Sequence, residues 1–237
     1  MAIDLRGVMT VLMPGTGSDE DYLRRAFAGP LERAGAVLVA VPPQPADLLT
    51  GYASAVEAAA ARGPIAVGGV SLGAAFGAAW ALANPTRTVA VLAALPPWTG
   101  APGNAPAAVS ARHTAASLRH DGLEAVISAM RESSPAWLAD ELERSWRRQW
   151  PALPEAMEAA AGYPAPDTAA LGRLSAPMGV VGSPDDAVHP LRVAEHWAHT
   201  APRATLRTIT FAEFGPRPEA LGEACLAALG DCADQLY

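Results

Sequence analysis

The sequence predicts an α/β protein: a doubly wound, mostly parallel sheet of about six strands with flanking helices and an inserted helical cap. Three observations carry this. Short apolar runs without polar alternation recur at 8–14, 36–41, 65–70, 88–95, 178–182 and 206–211, as expected of strands buried on both faces. Longer alanine- and leucine-rich segments alternate with them at 20–34, 46–62, 72–84, 190–201 and 218–236. The alternation then lapses between Leu95 and Met178, where only loops and helical patterns occur.

Punctuation supports each helix. Ser18 and Asp19 are cap candidates before the first and Gly35 follows it, while Pro85 stops the third and Pro190 opens the fourth. The interruption, with helical patterns at 104–131, 135–149 and 153–161, carries Val109, Leu118, Val126, Ile127, Trp146 and Trp150 among its apolar residues, too many for one exposed stripe. A cap over the sheet's edge accounts for them, and a helical layer that only packs is the alternative. The expected division is a core of 1–100 and 176–237 with 101–175 inserted.

A chain of 237 residues, 51% hydrophobic and 17% charged, can bury one substantial core, so one folding unit is expected. A formal charge of −7 and the lack of a basic run argue against nucleic acid as a partner. No apolar run reaches the roughly 18–20 residues that cross a bilayer, so no membrane partner is expected. The amino-terminal stretch passes straight into a strand-like run without a basic leader or a cleavage site, which predicts a cytoplasmic location. Cys225 and Cys232 lie seven residues apart in the last helical pattern, about 10 Å along its axis, too far for a disulfide between them. Neither a ligand-spaced His/Cys cluster nor a phosphate loop is present, so no metal and no organic cofactor are expected.

Gly69-Val70-Ser71-Leu72-Gly73 matches G-x-S-x-G and stands between a buried strand and an alanine-rich helix. Such a tight turn strains the serine, exposes its Oγ at the tip and requires small neighbours. Ser71 is therefore a candidate nucleophile, with a helix N-cap as the plainer reading.

At this point the chain resembles the α/β-hydrolase superfamily over nearly its whole length. The resemblance rests on "MPGTGS" at 13–18, "GGVSLG" at 68–73, "LPPWTG" at 95–100, the cap, and "GSPDDAVHP" at 182–190, in that order. It starts near the family's third strand, leaving about six. It implies an oxyanion hole made of the backbone amides of Thr16 and Leu72, although Pro14 stands where such loops usually carry histidine. A simple strand-to-helix turn is the alternative reading of "PGTGS". The family carries its acid four residues before a proline, which selects Asp186 ahead of Pro190, with Asp185 in reserve.

The resemblance departs in one place. The family's catalytic histidine follows the last strand, and 208–224 contains none. His113 and His120 fall in the cap, and His196 and His199 in the helix after Pro190. His189 shares a loop with Asp186 at the carboxyl end of a strand and keeps the order Ser, Asp, His. Three extended residues would separate the two by about 10 Å, whereas a turn brings them within about 7 Å, so His189 requires a turn to serve as the base. It could instead cap the following helix, and Glu213 is the other ionisable group near the vacant position.

The expected protein is a serine hydrolase acting on an ester or thioester with an apolar acyl or aromatic portion, a small-molecule substrate. Ser71 would attack, His189 serve as base, Asp186 orient it and Trp98 line the pocket. A hydrolase fold without efficient hydrolysis, either a lyase or isomerase or a ligand binder, is the alternative that the missing histidine raises.

Overall fold

The computed structural model describes residues 3–232. Six strands, β1 (Met9–Met13), β2 (Val37–Ala40), β3 (Ile65–Val70), β4 (Thr88–Ala94), β5 (Met178–Gly182) and β6 (Ala204–Thr208), form one sheet in the order β2-β1-β3-β4-β5-β6. Every pairing is parallel. Both faces are covered, which explains the unbroken apolar runs. Val11, Met13, Val67, Val91 and Val180 enter one hydrophobic cluster, while Leu12, Ala66, Leu92 and Val181 enter the other.

Helices α1 (Glu20–Arg33), α2 (Leu48–Ala60) and α3 (Leu72–Ala83) make the first crossovers. The chain leaves β1 outward to β2, then returns past β1 to β3, so the winding reverses between β1 and β3. The loops after these two strands therefore diverge at the carboxyl edge and open the crevice where such sheets bind ligands. Those loops are 14–18 and the turn at Ser71.

Between β4 and β5 run α4 (Pro106–Ser133), α5 (Ala136–Gln149), α6 (Leu153–Ala161) and α7 (Thr168–Leu171). Gly122, at φ 80° and ψ 170°, breaks α4 into two rods. These helices bury a cluster of their own that includes Leu118, Ile127, Trp146, Leu153 and Met157. Val109 and Trp150, counted among the apolar residues of this segment, are exposed at 46% and 39%.

The last elements are α8 (Leu191–Thr200), α9 (Phe211–Phe214) and α10 (Glu219–Asp231). The strand expected at 206–211 is displaced: β6 spans 204–208, and Thr210 closes it off by capping α9. The expected last helix extends to 236, of which 233–236 lie outside the described residues. Cys225 and Cys232 are both unpaired and buried. Among the described residues no helix is long and apolar enough to cross a membrane.

Candidate active site

The turn from β3 into α3 decides how Ser71 is read. Its backbone sits at φ 53° and ψ −113°, and its side chain makes no cap hydrogen bond to the helix it opens. A serine held there costs about 1–3 kcal/mol, which the surrounding packing must offset. The strain has a visible frame. The Ser71 amide continues the sheet ladder by donating to the Ala94 carbonyl at 2.9 Å. Gly69 and Gly73 flank the turn so tightly that a Cβ on either would stand 1.9 or 2.0 Å from the Met13 carbonyl oxygen. Only glycine fits there, which gives the G-x-S-x-G spacing its physical content.

From this turn Ser71 Oγ meets His189 Nε2 at 2.8 Å, and His189 Nδ1 meets Asp186 Oδ2 at 2.7 Å. The loop supplies the turn that His189 needs. Asp186 Oδ1 accepts the amides of Val188 and His189 at 2.8 and 2.9 Å, folding 186–189 back on itself. Pro190, at φ −56° and ψ 131°, then leads into α8. The aspartate fixes both the loop and the imidazole. With Asp186 accepting at Nδ1, the hydrogen-bond pattern assigns the proton to Nδ1 and leaves Nε2 free to accept from Ser71. Burial pushes the Asp186 carboxyl up, but the hydrogen bonds it accepts from His189 and the two amides outweigh it, and the group lies below the usual carboxylate value. It is ionised at neutral pH.

Asp185 does something else. It accepts from Ser183 Oγ at 2.6 Å and from the Phe211 amide at 3.1 Å, tying the loop to the start of α9. Glu213 is committed as well: its carboxylate accepts the Thr210 amide and hydroxyl, both at 2.8 Å, and closes a capping box. That arrangement displaces it as a candidate base. Trp137 of α5 packs edge-on against Phe211 and Phe214, with ring centroids 5.6 and 5.4 Å away, so an aromatic cluster fills the segment after β6. Of the other histidines, His113, His120 and His199 are exposed, and His196 meets Thr168 Oγ1 at 2.9 Å.

Thr16 lies half-buried in a turn that the Ser18 amide closes by donating to the Gly15 carbonyl at 3.0 Å. Gly15 packs on the serine, where a Cβ would be 3.3 Å from that of Ser71. Leu72 opens α3, where backbone amides lack intrahelical partners. Among the described residues neither the Thr16 nor the Leu72 amide donates to a backbone carbonyl. Trp98 is 5% exposed, with its indole N–H given to the Tyr163 carbonyl at 3.1 Å. A residue the sequence did not single out is Tyr52, whose hydroxyl donates to the Pro14 carbonyl at 3.1 Å. No local motif links positions 14 and 52.

Solved structures match this arrangement of strands and helices. The chain superposes with a TM-score of 0.72 on a carboxylesterase from the ammonia-oxidizing thaumarchaeon Nitrososphaera gargenis, at 16% identity, covering 98% of this chain and 93% of that one. It has the α/β-hydrolase fold. This hydrolase fold is shared with BpoC, a non-heme bromoperoxidase described as putative, from Mycobacterium tuberculosis (TM-score 0.70, 19% identity, 95% and 93% coverage). It is shared also with the esterase RhEst1 from a Rhodococcus species (TM-score 0.68, 15% identity, 94% and 92% coverage). No family model and no curated protein matches the chain. Identities this low establish the hydrolase fold, and an activity has to be argued from the site itself.

Proposed function

We propose that this protein is a serine hydrolase that cleaves a carboxylic ester or thioester with an apolar acyl or aromatic portion through an acyl-serine intermediate. The observation that carries the reading is the unbroken chain Ser71 Oγ, His189 Nε2, His189 Nδ1, Asp186 Oδ2, with contacts of 2.8 and 2.7 Å. Ser71 Oγ attacks the carbonyl carbon while its proton passes to His189 Nε2. The carbonyl π pair moves onto oxygen, where the amides of Leu72 and Thr16 hold it; one such donor is worth roughly 10²–10³ in rate. As the intermediate collapses, the bond to the alcohol or thiol breaks and His189 returns the proton to that leaving group. Water then attacks the acyl-serine with His189 again accepting a proton, which releases the acid and restores Ser71. Asp186 holds the imidazole in its tautomer and stabilises the imidazolium formed in each half.

The non-hydrolytic alternative was motivated by the segment after β6, which carries no histidine. The contact of His189 with Ser71 at 2.8 Å supports hydrolysis over that alternative. The test is turnover of p-nitrophenyl butyrate. The wild type is expected to turn the ester over, and His189→Ala to lose about 10²–10⁴ in rate. An active protein whose rate His189→Ala leaves unchanged would remove His189 from the mechanism.

A further inference from the structure

Helix α5 grips the segment that carries Thr16. Three consecutive residues of that segment are engaged by side chains of the helix's last two turns. The indole of Trp146 packs on Gly17, where a Cβ would stand 2.7 Å from Nε1. Gln149 Nε2 donates to the Ser18 carbonyl at 3.0 Å and to Ser145 Oγ at 2.8 Å. Arg144 places its guanidinium fork on Asp19, Nη1 to Oδ2 at 2.7 Å and Nη2 to Oδ1 at 2.8 Å, and Arg148 adds a third contact at 3.2 Å.

The ion pair differs from most on this surface. The Asp19 side chain is 3% exposed, and Asp19 Oδ1 also accepts the amides of Asp21 and Tyr22 at 3.1 and 3.3 Å, capping α1. A planar fork on a buried carboxylate fixes direction as well as distance. Glu141 bonds both Arg144 and Arg25 of α1, which makes the contact a network. At the other end of α5, Trp137 docks on Phe211 and Phe214 beyond β6. A helix of this length spans about 21 Å, and the four strand spacings from β1 to β6 span about 19 Å. Helix α5 is thus a bar anchored on both sides of the sheet, with the loop after β1 fixed to one end.

We infer that Arg144 is a positioning residue, which acts through Asp19 to hold the Thr16 amide where the oxyanion forms. The inference rests on the hydrolase reading above. An amide displaced by a fraction of an ångström still lets the ester bind but stabilises the tetrahedral intermediate less, so the loss falls on kcat. A merely structural ion pair has no such selectivity.

The experiment compares wild type, Arg144→Met, Arg144→Lys and Asp19→Asn, with Arg119→Gln, which breaks the exposed pairing to Glu158, as control. Asn retains the capping oxygen, so Asp19→Asn should fold even if Arg144→Met does not. Each variant is assayed for p-nitrophenyl butyrate turnover, for inhibition by an alkyl trifluoromethyl ketone, and for inhibition by the matching secondary alcohol. With the ketone, Ser71 Oγ bonds to the carbonyl carbon, the π pair becomes an oxyanion and the proton stays on His189. The alcohol offers no such oxygen. For Arg144→Met and Asp19→Asn the expected result is a roughly ten- to hundredfold fall in kcat with KM changed less than about threefold. Ketone affinity should weaken in proportion to kcat/KM, alcohol affinity should hold, and Arg144→Lys, with the charge but not the fork, should fall between. Active wild type with folded variants that keep kcat, or that lose kcat without losing ketone affinity, overturns the positioning role alone. Wild type that neither turns over the ester nor binds the ketone overturns the hydrolase reading and this inference with it.

Discussion

Replacing Asp186 by asparagine tests the chain of contacts at its most informative link. Oδ1 can still accept the Val188 and His189 amides, now at 2.8 and 2.9 Å, so the loop should keep its fold. The other arm becomes an NH₂ donor facing His189 Nδ1, which stands 2.7 Å away. Two donors cannot share that contact, so Nδ1 must become the acceptor and the imidazole proton moves to Nε2. There it faces Ser71 Oγ and can no longer accept the serine proton. The swap removes the base without removing the histidine. A comparable tautomer error in serine proteases costs about 10⁴ in kcat, or about 5.5 kcal/mol at 1.36 kcal/mol per tenfold. Turnover of p-nitrophenyl butyrate should therefore fall about 10³–10⁴-fold in Asp186→Asn, with a melting temperature close to the wild type's. Activity within tenfold of wild type in a folded variant would refute the assigned proton position and the role of Asp186 with it.

Two further outcomes follow from packing and charge. Gly73→Ala, which sets a Cβ 2.0 Å from the Met13 carbonyl oxygen, should cost more than about 3 kcal/mol in urea unfolding or abolish soluble expression, because the two nearest atoms in its path are backbone and cannot swing aside. Burial raises the Asp19 carboxyl, but Arg144, the Tyr22 amide and Arg148 hold it below the usual value. Its stabilisation is thus complete above the unfolded carboxyl value near 3.9 and lost as pH falls through the lower folded value; stability measured from pH 5 to pH 2 should drop less in Asp19→Asn than in wild type.

How much of this was legible in sequence differs element by element, for physical reasons. The strands β1, β3, β4 and β5 are buried on both faces, so their apolar runs carry the signal directly. The run "TITF" misled because β-branched residues continue past the strand's end at Thr208. The corrective signal was present in Thr210 and Glu213, spaced as a capping box, which starts a helix where the run alone implies a strand. Ser71 was readable because its glycines are required by local backbone contact. The loop of Asp186 and His189 was readable because the donors and acceptors that fold it lie within three residues. What could not be read was the frame around the loop after β1. The hydrogen bond from Tyr52 to Pro14 and the ion pair from Arg144 to Asp19 join positions 38 and 125 residues apart, and only the fold brings them together.

In the proposed mechanism Ser71 is an activated nucleophile with His189 as its base. The most direct measurement is intact-mass detection of labelling by a fluorophosphonate on wild type, Ser71→Ala, His189→Ala and Asp186→Ala. Rapid addition of one phosphonyl group to wild type is expected, with none to Ser71→Ala and labelling slowed by orders of magnitude in the His189 and Asp186 variants. A folded wild type that takes up no label, or a Ser71→Ala variant that is labelled as fast as wild type, would contradict that mechanism.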